Sequence, residues 1–321
     1  MKMTGAEMAV EILLEHNVDT IFGYPGGAAL FIYDALYKYK DKIRHVLTAH
    51  EQGASHAADG YARSTGKTGV VLATSGPGAT NLVTGIATAY MDSIPMVIIT
   101  ANVANSLIGR DAFQETCITG ITFPVTKHSY FVNRTDELAD ALRNAFRIAN
   151  EGRKGPVLVD ITKDVTGATV DYQPAPNCEL KKVQKEELDK KIASFAKYIN
   201  KAEKPVLYLG GGVIASEASG EVMRLMEKAD IPAVNSMMAA GAVPVTDDRS
   251  FGMLGMHGSY AANKCIAEAD LVLAVGTRFS DRVALNPKKF ASKAKILQID
   301  IDKSEVSKNV TVNDAIVGDC K

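Results

Sequence analysis

The chain is predicted to fold as α/β, with two doubly wound parallel-sheet domains. Three observations carry that expectation. Short β-branched runs alternate with helical patterns along the whole chain. Glycine-rich segments follow several of the strand candidates, where an open parallel sheet presents its ligand loops. The texture changes after Asp164, and a second strand–helix series starts at Lys204.

In the first series, Thr20–Phe22, His45–Leu47, Val70–Thr74, Met96–Thr100 and Val157–Ile161 read as buried strands. Residues 4–17, 28–39, 50–64, 78–91 and 136–150 read as the helices between them. Pro95 and Pro156 stand just before strands, where a missing N–H costs nothing. Thr169–Cys178 holds two prolines and no periodicity, and Glu179–Lys191 is dense in charge, so this stretch reads as a surface linker entering a helix. The second series has strands at Val206–Leu209, Ala233–Asn235, Leu271–Val275 and Ile296–Ile299. The expected division is a first domain at 1–167, a linker at 168–188 and a second, incomplete domain at 189–321.

Composition narrows the class. Hydrophobic residues make up 46% and charged residues 23% of 321, as in ordinary globular proteins. A net charge of −1 without a basic block argues against a nucleic-acid partner. Cys117, Cys178, Cys265 and Cys320 are scattered, which points to a reducing compartment and away from structural zinc. Cys117 reads as a small buried hydrophobe or a reactive thiol. The first residues carry no signal or transit pattern, and no apolar run is long enough to span a bilayer. A cytoplasmic protein with no membrane partner is expected.

The segment Thr48–Arg63 is the most informative. Helical steps from Glu51 reach Ser55, Ala58 and Ala62, all small, so this face can lie flat on a neighbour. A carboxylate in so close a contact needs a specific partner or a chemical task. A second reading stays open: Thr48 and Glu51 have the spacing of a capping box.

Glycine loops follow the strand candidates. Gly23-Tyr24-Pro25-Gly26-Gly27-Ala28 and Ser75-Gly76-Pro77-Gly78-Ala79-Thr80-Asn81 let backbone amides approach a ligand, or make tight turns chosen for packing. Neither fits a Rossmann fingerprint or a P-loop. In the second series, Gly210-Gly211-Gly212 follows a strand and opens a helix, a place that attracts phosphate. Asp300 and Asp302 end another strand, where a carboxylate can meet a ribose or adenine. Leu254–Gly258 and Gly276–Val283 add two polar loops.

These motifs carry a resemblance. Tyr24-Pro25-Gly26-Gly27-Ala28, His50-Glu51-Gln52-Gly53-Ala54, Thr74–Asn81 and Asp111-Ala112-Phe113-Gln114-Glu115 stand in an order and spacing that resembles acetolactate synthase catalytic subunits. That family belongs to the thiamine-diphosphate enzymes. Pro156–Val165, Met253–Gly258 and Arg278–Val283 extend the resemblance over essentially the whole chain. It implies a pyrimidine-binding domain, then a central FAD-binding domain cut short at Val317–Lys321. The C-terminal domain, which would bring the diphosphate and Mg2+ ligands, is expected to be absent.

By the same resemblance, Glu51 is the catalytic group, hydrogen-bonded to the cofactor's aminopyrimidine ring. Tyr24, Pro25, Gly26, Gly76, Pro77, Gly78 and Asn81 match cofactor-binding positions. Gly27, Ala28, Phe113, Gln114 and Lys163 match positions lining the substrate's approach; Lys163 reads equally well as a solvated charge after a strand. For FAD, the matching positions in the glycine and polar loops are Arg153, Gly210, Gly211, Gly212, Met256, His257 and Gly276. Arg278, Asp281, Arg282, Val283, Asp300, Ile301 and Asp319 complete that set. Ser280 stands where the family commonly has aspartate, and Ala284-Leu285-Asn286 replaces a usual Thr-Gly.

The implied reaction joins pyruvate to pyruvate or to 2-ketobutyrate with loss of CO2, the first committed step of branched-chain amino acid synthesis. A homodimer or tetramer with a small regulatory subunit is implied. Two alternatives stand beside it. One is a related pyruvate oxidase or decarboxylase. The other is a non-catalytic dimerisation or FAD-binding fragment, since little turnover is expected from the two domains alone.

Overall fold

The computed structural model describes residues 1–175 and 186–321. The chain divides into two compact units, Met1–Leu180 and Lys181–Lys321, and each is built on a parallel α/β sheet.

The first unit runs β1 (Lys2–Thr4), α1 (Gly5–Glu15), β2 (Thr20–Gly23), α2 (Leu30–Lys38), β3 (Arg44–Leu47) and α3 (Glu51–Thr65). Next come β4 (Gly69–Ala73), α4 (Pro77–Thr80), α5 (Val83–Asp92), β5 (Met96–Asn102), α6 (Ile118–Thr122) and β6 (His128–Val132). It closes with α7 (Leu138–Asn150), β7 (Pro156–Thr162), α8 (Lys163–Gly167) and β8 (Thr169–Asp171). Six parallel strands lie in the order β3-β2-β4-β5-β7-β6. Every residue of β4, β5 and β7 is buried, as expected for strands covered on both faces.

Local chemistry sets the helices. Thr4 and Glu7 form a capping box on α1: the Thr4 hydroxyl accepts from Glu7 N at 3.1 Å and the Glu7 carboxylate from Thr4 N at 2.9 Å. Helix α3 stops at Gly66, whose φ of 73° closes the helix in the left-handed region. The small face of α3 is buried as predicted. A Cβ on Gly69 would fall 2.3 Å from Ala58 O, and one on Gly85 would fall 2.1 Å from Ser55 Oγ, so β4 and α5 both press against it.

The second unit contains α9 (Glu186–Ile199), β9 (Pro205–Leu209), α10 (Gly211–Ala215), α11 (Ser219–Ala229) and β10 (Ala233–Asn235). It continues with β11 (Ser250–Met253), α12 (Tyr260–Glu268), β12 (Leu271–Val275), β13 (Lys295–Asp300) and β14 (Asp314–Val317). Its strand order is β11-β10-β9-β12-β13-β14, again all parallel.

Some expectations are corrected. The predicted helix 78–91 is two helices, α4 and α5, with Asn81 and Leu82 between them. The stretch read as linker from Thr169 begins instead as β8, paired antiparallel with β1 through Met3↔Val170. Tyr172, just after it, is buried in the core of the first unit. The remainder of the expected linker, with Cys178, lies largely outside the described residues. Cys117 is exposed rather than buried. Among the described residues, no helix is long and apolar enough to cross a membrane.

Candidate active site

The order of the first sheet places its reversal between β2 and β4, because the chain winds outward to β3 and then returns across β2. A crevice opens beyond the carboxyl ends of strands at such a point. The loops after β2 and β4 are the two glycine-rich segments, and α3 starts shortly after β3. Glu51 is its first residue.

The cap of α3 decides between the two readings of Glu51. His50 is the N-cap residue, and its Nδ1 accepts from Gln52 N at 3.1 Å. The Thr48 hydroxyl donates instead to His50 O at 3.0 Å. The capping-box reading is therefore overturned: Glu51 occupies the first helical position, not the third, and its side chain has no capping duty.

That side chain turns inward and is 8% exposed. Asn81 Nδ2 donates to Oε2 at 3.0 Å, from the break between α4 and α5. Among the described residues no donor reaches Oε1. A Cβ on Gly78 would lie 3.3 Å from that oxygen and 2.7 Å from Thr74 Cγ2, so only glycine lets the β4 loop approach the carboxylate and Thr74 this closely. Thr74 organises both loops. Its hydroxyl accepts from Ala28 N at 3.3 Å, and a Cβ on Gly26 would meet its Cγ2 at 2.4 Å. A Cβ on Gly27 would meet nothing within 4 Å, so the outer side of that residue is clear. Tyr24 and Pro25 are exposed beside it. Behind the site, burial pushes the Tyr33 phenol upward and the Glu51 charge adds to it; Tyr33 donates to Leu72 O at 3.4 Å.

The Gln114 backbone lies against the β4 loop: a Cβ on Gly76 would sit 2.7 Å from Gln114 O. Phe113 projects next to it, 85% exposed. Pro77 opens α4. Lys163 starts α8, with Nζ 5.9 Å from the centre of the Phe31 ring.

Comparison with known proteins gives these loops a context. Residues 3–121 match the thiamine pyrophosphate enzyme N-terminal TPP binding domain, and residues 192–321 match the central domain of the same enzymes. The chain belongs to the thiamine pyrophosphate enzymes. It is 49% identical over 322 residues to an acetolactate synthase of Mycobacterium leprae, across 100% of this chain and 51% of that protein. It is 47% identical over 324 residues to an acetolactate synthase large subunit of Buchnera aphidicola, across 99% of this chain and 56% of that one. The large subunit of Haemophilus influenzae is also 47% identical, across 100% of this chain and 56% of its own length. The chain thus spans about half the length of the curated relatives it matches.

In the central-domain unit, the sheet reverses between β9 and β12, and the loops after those strands hold Gly210–Gly212 and Gly276–Arg278. They meet glycine to glycine. Gly210 N donates to Val275 O at 2.8 Å and Gly212 N to Gly276 O at 3.0 Å, so these amides are engaged within the protein. A Cβ on Gly210 would fall 2.0 Å from Gly276 O. The other two polar loops also pair: Met256 N donates to Arg282 O at 2.8 Å. His257, Asp281 and Arg282 are exposed, and Val283 packs on the core. Asp300 is buried at the end of β13, followed by the exposed Ile301, and its Oδ1 accepts from Asp302 N at 2.9 Å. Asp319 Oδ1 accepts from Lys321 N at 2.8 Å. Arg153 lies in the first unit, where its Nε donates to Ser93 Oγ at 2.8 Å.

Three participants were not apparent from the sequence. Thr74 stood inside a quoted motif, and its signal was a β-branched hydroxyl at a strand end. His50 caps a helix although histidine is not among the favoured capping residues. Tyr33 had no signal, since its link to the site is made by the fold.

Proposed function

We propose that the chain supplies the pyrimidine-binding and central domains of an enzyme that condenses two 2-keto acids with decarboxylation, giving acetolactate from pyruvate. Acetohydroxybutyrate is the product when 2-ketobutyrate is the second substrate, and both products feed branched-chain amino acid synthesis. The observation that carries the reading is the Glu51 carboxylate. It is buried at the sheet reversal, held through one oxygen by Asn81, while its other oxygen lies beside Gly78 and takes no donor among the described residues.

This donor set suits a thiamine ring. Glu51 Oε1 is an acceptor for a protonated ring nitrogen, and its fixed position strengthens a single hydrogen bond in a poorly hydrated place. Asn81 keeps the carboxylate aimed. Gly26, Gly76 and Gly78 let the two loops close on Thr74, Gln114 and Glu51, and a flat heterocycle is placed on the Oε1 side of the carboxylate, with Tyr24, Pro25 and Pro77 around it. Bound thiamine diphosphate supplies a nucleophilic carbon able to attack a keto carbonyl and carry the charge left by CO2. Gly27, Ala28, Phe113 and Gln114 border the substrate, and Lys163 attracts its carboxylate.

The central unit is read as an FAD domain through its paired loops, with Arg278, Asp300, Ile301 and Asp319 near the strand ends. Mg2+ is assigned to residues beyond this chain. The relatives named large subunits favour a small regulatory partner. A homodimer or tetramer in the cytoplasm completes the proposal. The proposed division keeps two domains, with the first extended past the expected 167 to take in β8 and Tyr172 and the second opening with α9 rather than at 189.

The test uses the polypeptide as produced from its gene, supplied with thiamine diphosphate, Mg2+, FAD and pyruvate. Glu51→Gln is expected to lower acetolactate formation at least ~100-fold, the usual weight of a positioned proton-transfer group, with the fold intact. Undiminished acetolactate formation by Glu51→Gln refutes the assignment. Acetyl phosphate or acetaldehyde as the product favours the oxidase or decarboxylase alternative.

A further inference from the structure

The segment between β5 and α6 contains a clamp made by one side chain. Glu115 folds back over its own loop. Oε1 accepts from Gly109 N at 2.5 Å and Oε2 accepts from Ala112 N at 3.1 Å. Its own amide donates to Ala112 O at 2.9 Å. The carboxylate thus closes a ring around Arg110 and Asp111. Charge-assisted bonds from a carboxylate to backbone amides are among the stronger kinds.

The ring holds a backbone that does not favour its own shape. Asp111 and Gln114 have φ of 52° and 59°, the left-handed region that side chains with a Cβ adopt at a cost. The Gln114 backbone is also wedged against Gly76, itself at φ 58°, where a Cβ would lie 2.8 Å from Gln114 Cβ. Phe113 between them is 85% exposed, so no packing of its own fixes the tip.

We infer that Glu115 is a positioning residue, which holds the loop 109–115 in a preformed, strained state and so presents Phe113 and Gln114 in fixed orientation beside Gly76. Backbone amides hold the carboxyl of Glu115 below its ordinary range, so the clamp stays ionised at neutral pH. The inference rests on the proposed function only for the use of Phe113 and Gln114 toward a keto acid. The clamp itself stands on the loop geometry.

Two readouts test it on the chain as it is. The sequence contains no tryptophan, so Phe113→Trp places a single indole at the tip. Arg110 offers a tryptic site inside the ring. In the Phe113→Trp background, Glu115→Ala is expected to lower the indole anisotropy and to speed cleavage after Arg110 about tenfold or more, as local opening becomes easy. Glu115→Gln, which keeps one acceptor oxygen, is expected to fall between. Gln114→Gly added to Glu115→Ala is expected to recover part of the protection, because glycine accepts the left-handed backbone without strain. Unchanged anisotropy and cleavage in Glu115→Ala overturn the inference. So does a loss of protection that spreads to sites across the first unit together with a lowered melting temperature, since Glu115 would then support the whole fold. Neither readout needs thiamine diphosphate or a keto acid, so failure here is distinct from failure of the carboligation reading.

Discussion

At the residue scale, the site depends on an unusual helix cap. His50 Nδ1 is as many bonds from its backbone as the side-chain oxygen of asparagine is, and it accepts the Gln52 amide as that oxygen would. Its neighbour Glu51 is thereby left to face inward. His50→Ala is expected to destabilise the first unit by about 1 kcal/mol, the usual cost of a lost cap, and His50→Asn to restore it. Urea unfolding of the two variants checks this, and equal stability of Ala and Asn at position 50 would remove the cap from the account. The sequence made Glu51 legible through its spacing from Ser55, Ala58 and Ala62. It misdirected at Thr48, where a capping-box pattern fits the letters but the helix starts at Glu51. Asn81 was legible only as part of a motif, and its bond to Glu51 depends on a helix break that helical periodicity concealed.

At the scale of elements, the central strands and the edge strand β3 were legible, and the other edges were not. β4 is a continuous apolar run, and β5 and β7 open as apolar runs and turn polar only toward their carboxyl ends, because both faces are covered. β6, β11 and β14 are edge strands of mixed polarity and partial burial, and β1 and β8 pair only with each other, so none had a readable apolar run. The join between α1 and α7 also arises only in three dimensions. The Glu15 carboxylate accepts from Arg143 Nε at 2.9 Å and Nη2 at 2.8 Å, from the Tyr172 hydroxyl at 2.6 Å and from Ala175 N at 3.2 Å. Burial works to raise this carboxyl, but the bonds from Arg143, Tyr172 and Ala175 outweigh it and hold it at about 2. Glu15→Gln is expected to cost about 2 kcal/mol at neutral pH through the lost charge-assisted bonds. Because the folded carboxyl titrates below its ordinary 4.5, that advantage is present above pH 4.5 and fades as pH falls toward 2. Denaturation at about pH 7 and about pH 3, either side of the unfolded value, checks it; a difference that does not shrink in acid contradicts the account.

At the scale of the whole molecule, opposing buried groups shape the response of the first unit to acid. Burial depresses His16 and His45 below 6.5, so both fold in the neutral form, and their contribution is lost as pH falls below that value. Asp160, 2% exposed on β7, runs the other way. Burial lifts its carboxyl to about 6 against the bonds from Thr100 Oγ1 and Asn102 Nδ2, each 2.7 Å. A raised carboxyl means the folded state binds the proton first, so stability is gained between pH 6 and 3.8. Asp160→Asn is therefore expected to lose stability relative to the natural chain as pH falls from about 7 to about 4. Parallel melting curves over that range would contradict this. The β1–β8 ladder carries a practical consequence for anyone handling the gene. Lys2 lies opposite Asp171 and Thr4 opposite Thr169, so the opening residues fasten the segment that leaves the first unit. Trimming those codons would unzip it, so epitope labels and deletions belong elsewhere.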